Sequence, residues 1–166
     1  MIQTLRQFTE DALANQFQLI IPPFPGVEDI QQTNLRVLTV DIPEYAIGTY
    51  EITKKGSKMT RRSGISELPT EFSFTYRVDK NYSVYKGFLS WLKLCRDSVT
   101  GIMAPENVIR VPITVQPIDG NNNVLFEGWE MFGCFPSSHD GLSFDEESGD
   151  PLTASVTMQM MGFEVK

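Results

Sequence analysis

The stretch Glu71–Asp79 (EFSFTYRVD) places Phe72, Phe74, Tyr76 and Val78 at every second position, with Glu71, Ser73, Thr75, Arg77 and Asp79 between them. Side chains of a strand alternate between faces, so this segment reads as a strand with one aromatic face to bury and one polar face to leave wet. A cover for the aromatic face follows directly. Val84, Phe88, Trp91, Leu92 and Cys95 fall at helical spacing on one stripe, as an amphipathic helix requires. Asp79 or Asn81 is available to cap its start, and Gly101 lies past its end. A helix of about 16 residues is expected, roughly 24 Å long.

The remaining segments read mostly as strands. Phe17–Ile21 (FQLII) is a short buried strand stopped by Pro22 and Pro23, since proline removes a backbone donor. Leu35–Ile42 alternates, with Leu38, Val40 and Ile42 on one face and Thr39 and Asp41 on the other, and Ala46–Thr53 is its expected partner. Arg110–Ile118 and Val124–Phe135 flank a Gly/Asn turn (DGNNN) and predict a hairpin. Pro112 and Pro117 predict that the first of these strands is short or at an edge. A polar loop over residues 136–151 (PSSHDGLSFDEESGDP) leads to a last strand, Thr153–Val165. There Ala154, Val156, Met158 and Met160 face inward and Ser155, Thr157 and Gln159 outward. The expectation is a single domain over 1–166, mainly antiparallel β as a sandwich or barrel, with one flanking amphipathic helix. Residues 1–14 form an N-terminal arm in this reading and 54–66 an exposed basic hairpin or loop.

Composition excludes several classes. With 41% hydrophobic residues and 11 Phe in 166 residues, the chain can bury a core and is not of the disordered type. Two cysteines cannot make a disulfide scaffold; Cys95 and Cys134 are expected as free thiols in a reducing compartment. No apolar run approaches a membrane helix, and the first residues lack the apolar stretch of a signal peptide. The net charge is -7 but unevenly placed. Lys54, Lys55, Lys58, Arg61 and Arg62 fall within nine positions, whereas Val111–Val165 holds nine acids and no Lys or Arg. Nucleic-acid binding draws on Lys and Arg that displace phosphate counterions, so this is a poor DNA binder. Two oppositely charged surfaces favour self-association instead.

Catalytic apparatus is not found. The one histidine, His139, reads as a surface-loop residue. Cys134, five positions earlier, has no scaffold-held base. One His and two distant Cys are too few for zinc. Glu127 and Glu130 are three apart on an expected strand and so point to opposite faces. Asp145, Glu146, Glu147 and Asp150 lack the rhythm of a calcium loop, and no Gly-rich phosphate motif occurs. Met158, Met160 and Met161 read as core filler. The chain is expected to be no enzyme, with no catalytic residues, no metal and no cofactor.

The ordered set of pieces carries a resemblance. It comprises Asn15-x-Phe17-x-x-x-Ile21, the strand FSFTYRVD, and Asn81, Tyr82, Tyr85, Trp91 and Leu92 on the helix. Gly133–Ser138 (GCFPSS), Leu142–Asp145 (LSFD) and a last alternating strand complete it. Over roughly residues 15–165 this resembles the tail tube proteins of contractile-tailed, T-even-like bacteriophages. The resemblance implies a structural virion protein whose hexameric rings stack into a hollow conduit for DNA ejection. Its implied partners are further copies of itself, the tail sheath, the tape-measure protein, and baseplate and tail-terminator proteins. It further implies that genomic DNA passes through the lumen without specific binding, that no membrane is involved, and that assembly occurs in the host cytoplasm. Related alternatives are a baseplate-proximal tube initiator and a type VI secretion tube-like protein; a small ligand-binding β module is the alternative from another class.

Ring closure would also pair the open sheet edges. Within that picture the basic arm (Lys54, Lys55, Lys58, Arg61, Arg62) is expected to meet the acidic loop (Asp145, Glu146, Glu147, Asp150) of a neighbour. Thr39, Asp41, Glu51, Ser155, Thr157 and Gln159 are the expected lumen-lining residues, because acids and hydroxyls guide DNA without holding it. Arg77 in the bore would work against that account.

Overall fold

The computed structural model describes residues 13–23, 36–54 and 56–166. The side chains of 53, 54, 57–62 and 67 lie outside the description, as do Lys55 and nearly all of the arm expected over residues 1–14. In chain order the elements are β1 (Phe17–Ile20), β2 (Val37–Val40), β3 (Ala46–Lys54), β4 (Ser57–Glu67), β5 (Glu71–Arg77), α1 (Ser83–Cys95), α2 (Glu106–Ile109), β6 (Val111–Pro117), β7 (Trp129–His139), β8 (Thr153–Gln159) and β9 (Gly162–Val165). The described fold is mainly antiparallel β with one substantial helix, the class expected.

Six strands form one path, β1-β6-β7-β8-β5-β2, and a seventh, β9, pairs with β7 off it; β3 and β4 make a separate two-stranded sheet. β7 is the hinge of the path. Its first half pairs with β6 and β9, and its second half, Phe135–His139, pairs with β8. A strand that changes sheet must bend, and Gly133 supplies the bend with φ 66°. A Cβ there would also come within 2.6 Å of the Met161 side chain. Only glycine meets both demands at little cost.

Several expected boundaries shift. β3 pairs with β4, not with β2. β6 is no edge strand: it lies between β1 and β7. Its prolines survive there because Pro112 sits at a register irregularity between Val111 and Ile113, and Pro117 at the strand end opposite Phe17. The strand after the DGNNN turn starts at Trp129, five residues later than expected. It runs on through Pro136–His139, the start of the expected loop. Pro136 is tolerated because the register breaks between it and Ser138. The last strand divides at Met160–Met161, β8 pairing with β5 and β9 with the other half of β7.

The core forms where these faces meet. Phe72, Phe74 and Tyr76 of β5 and Ala154, Val156 and Met158 of β8 are buried with Leu19, Ile113, Val115 and Met131. Helix α1 covers them with Val84, Phe88 and Trp91. The Phe88 ring lies 5.8 Å from Phe74 and 5.7 Å from Tyr76, centroid to centroid. Each such side chain contributes about 1.5–3 kcal/mol on full burial. The Trp91 indole N–H donates to the Ile109 carbonyl at 2.8 Å, tying α1 to α2. Met158 and Met160 are core, but Met161 is exposed.

Asp79 lies between the end of β5 and the start of α1. Asp79 does not share the wet face of β5: it is only 5% exposed. Its carboxylate accepts from the Ser83 N–H (3.0 Å), the Ser83 hydroxyl (2.7 Å) and the Val84 N–H (3.3 Å). Burial pushes this carboxyl up, and those hydrogen bonds outweigh it, so the group lies below its ordinary value.

Candidate assembly surfaces

The wet face of β2-β5-β8 is a ladder of short polar side chains. The register sets Glu71 opposite Gln159, Ser73 opposite Thr157, and Thr75 opposite both Ser155 and Thr39. The Thr75 and Ser155 hydroxyls share a hydrogen bond of 2.9 Å. Ser73 Oγ donates to Asp41 at 3.2 Å, and Gln159 Nε2 donates to Glu71 at 3.1 Å. On the β7 side the Ser137 hydroxyl donates to the Thr157 carbonyl at 3.1 Å. Cross-strand pairs of this kind stabilise the strand pairing.

Five residues singled out from the sequence therefore come together here: Thr39, Asp41, Ser155, Thr157 and Gln159. Glu51 does not join them. It lies on β3, opposite Arg61 of β4, in the separate hairpin. Arg77 ends the polar side of β5 opposite Thr153 and is exposed, with Arg36 beside it across a shallow depression. The face thus combines hydroxyls and amides with charges of both signs.

The hairpin β3–β4 turns at Gly56, which has φ 81°. Lys54 pairs with Ser57, Thr53 with Lys58, and Tyr50 with Arg62. Basic residues thus lie on both strands around the turn. Nearer the body of the chain, Ile47, Tyr50 and Ile65 are exposed. In the acidic loop between β7 and β8, residues 143–151 are exposed, while Leu142 packs against the core. Asp145 accepts from the Glu147 N–H at 3.0 Å, the Ser148 hydroxyl bonds Asp150 at 3.4 Å, and Phe144 stands 71% exposed beside them.

His139 is not a loop residue. It closes β7 and packs edge-on to the Tyr85 ring at 4.7 Å, with Tyr76 and Phe88 also in contact. Its Nδ1 lies 2.8 Å from the Asp140 carbonyl, which can only accept, so the proton is on Nδ1. Nε2 is then the acceptor for the Tyr76 hydroxyl, also at 2.8 Å. Burial pushes the imidazole pKa below its ordinary value, against the opposing pull of Asp140. Burial also pushes the Cys134 thiol up to about 12, and its Sγ donates to the Met131 carbonyl. Both groups are spent on internal structure, which leaves no activated Cys/His pair. The pattern missed this because strand period alone cannot see that Tyr76, across the sheet, needs a partner for its hydroxyl.

No protein-family profile and no curated protein sequence matches the chain. Solved structures do match. The chain is similar to the tube-terminating cap of the anti-feeding prophage, with a TM-score of 0.68 at 13% identity over 95% of this chain and 92% of that one. A chain of the sheath/tube terminator of the PVC extracellular contractile injection system gives a TM-score of 0.68 at 15% identity over 96% and 99%. One of the extended PVC sheath-tube complex gives 0.64 at 16% over 94% and 93%. The fold is shared with these contractile-injection components. At such identity it is the backbone architecture that is common, and it agrees with the fold implied by the sequence resemblance.

Proposed function

We propose that this chain is a non-enzymatic structural subunit of a contractile-type tube, self-associating into hexameric rings that stack around a bore. The observation that carries the reading is the ladder Thr39, Asp41, Ser73, Thr75, Ser155, Thr157 and Gln159, set across three strands of a fold shared with tube-terminating caps. A sheet face of hydroxyls, amides and carboxylates gives a passing polymer many weak contacts and no apolar hold. In this reading the ladder lines the lumen. Glu51 lies on the hairpin instead, beside the basic residues. Arg36 and Arg77 make the wall mixed in sign, which matters if the cargo is DNA: two cations per subunit add counterion-releasing contacts, and Asp41 and Glu71 offset them.

The hairpin with Lys54, Lys55, Lys58, Arg61 and Arg62 and the loop with Asp145, Glu146, Glu147 and Asp150 are the charged contact elements between subunits. In this reading the partners are the sheath outside, the tape-measure protein and then genomic DNA inside, and baseplate and terminator proteins at the ends of a virion tail. A second reading has support of its own. Two of the similar structures are terminators, with TM-scores of 0.68 against 0.64 for the sheath-tube complex. A terminator forms one ring and stops.

Electron microscopy of the purified protein separates these readings. Stacked hollow rings of open length identify a repeating tube subunit, and single rings identify a terminator. Monomers that persist at high concentration and low salt would overturn both.

A further inference from the structure

Outside the polar ladder the structure holds a second surface with a different chemistry. The C-terminal half of α1, the segment after it and the middle of β7 enclose a groove of about 590 Å³. Its floor is apolar: Leu89, Leu92, Cys95, Met103, Phe135 and Pro136. Met103 is 61% exposed in this lining. Lys93 and Arg96 stand on the rim, both exposed, and among the described residues neither is held in an ion pair.

The same chain carries a segment with the opposite features. Phe144 is exposed in the β7–β8 loop and is followed at once by Asp145, Glu146 and Glu147, all exposed and none in an ion pair among the described residues. An aromatic anchor that enters an apolar pocket, ringed by charges that match the rim, is the arrangement that concentrates binding energy at an interface. We propose that the groove along α1 seats Phe144 of a second copy of the chain, with that copy's Asp145, Glu146 and Glu147 against Lys93 and Arg96. Groove and loop are different patches, so the contact is heterologous. Such a contact repeats from copy to copy and closes into a ring when its rotation closes.

This rests on the tube-subunit reading and sharpens it. It gives the acidic loop a counter-surface other than the basic hairpin, which is then left for another neighbour. The groove's apolar floor also explains why charge alone is an incomplete description of the loop: Phe144 supplies the area and the acids supply the orientation.

The test uses the native thiol in the groove floor. In a Ser143→Cys variant with Cys134→Ser, which keeps Phe144 and puts the thiol on its exposed neighbour, assembled protein treated with a short bis-maleimide should give a ladder of covalent oligomers on denaturing gels. The ladder should vanish when Cys95→Ser is added. In parallel, Lys93→Glu with Arg96→Glu should raise the concentration needed for assembly by more than about tenfold. Adding Asp145→Lys, Glu146→Lys and Glu147→Lys to that variant should restore assembly, while either set alone leaves folded monomers by circular dichroism. Rings or tubes that form normally without the Cys95-dependent ladder, or charge reversals that leave assembly unchanged, would overturn the groove contact and leave the tube reading standing. If the unmodified chain forms no assemblies at all, the tube reading and the groove contact fall together.

Discussion

Replacing Asp79 by Ala isolates the device that joins the aromatic strand to its covering helix. The carboxylate holds two backbone N–H groups and one hydroxyl at the start of α1 while lying 5% exposed. Removing a helix cap costs about 1 kcal/mol, and leaving a buried donor without an acceptor adds about 1–3 kcal/mol. Water can reach Ser83, which is exposed, but not Val84, so one donor rather than two is stranded and the sum is about 2–4 kcal/mol. For a chain of this length that lowers Tm by about 4–16 °C. Asp79→Asn keeps an acceptor and loses the charge, so it should fall between the two. The sign of the pH effect follows from the lowered carboxyl pKa. Stability from Asp79 is fully present above its ordinary value of 3.8 and is lost as pH falls through the lower folded-state value. The gap between wild type and Asp79→Ala should therefore be constant near neutrality and close in strong acid. Urea melts at pH 7 and pH 3 measure both. A variant within 0.5 kcal/mol of wild type, or a gap that widens on acidification, would show that the cap does not carry the helix start (threshold of about 0.5 kcal/mol as for ordinary surface changes).

Three further outcomes are expected. Trp91→Phe leaves the Ile109 carbonyl without its 2.8 Å donor and should cost about 1–3 kcal/mol by urea midpoint. Gly128→Ala puts a Cβ 2.1 Å from the Val115 carbonyl at φ 96°, so β6 and β7 must part; soluble folded protein should be lost, or Tm reduced far more than by Asp79→Ala. His139 has a folded-state pKa below 6.5, so it is neutral in the fold and binds a proton more readily once unfolded. Its stabilising contribution is present above pH 6.5 and is lost as pH falls from there to the folded-state value. That slope in a pH series of thermal melts should disappear in His139→Gln.

Local pattern and long-range placement divide the result. EFSFTYRVD was legible because strand period and burial agree: Phe72, Phe74 and Tyr76 are all buried, and nothing non-local competes. The helix was legible for the same reason, although its end at Cys95 came sooner than expected. The polar ladder was half legible. Thr39, Asp41, Ser155, Thr157 and Gln159 were found by alternation, but Ser73, Thr75, Arg36 and Arg77 belong to the same surface only because β5 lies between β2 and β8. Glu51 was placed with them by residue type, and the hairpin register took it elsewhere.

The sequence by itself determined the mainly β class, the aromatic core, the covering helix and the split of charge between hairpin and acidic half, since each depends on spacing within one segment. Only the tertiary structure decided that β6 is interior despite two prolines, that β7 serves two sheets, that His139 is locked to Tyr76, and that an apolar groove rimmed by Lys93 and Arg96 exists. Each of these depends on what lies across from a residue. A side chain's period along its own strand carries no information about the neighbour that hydrogen bonding and packing will bring to it.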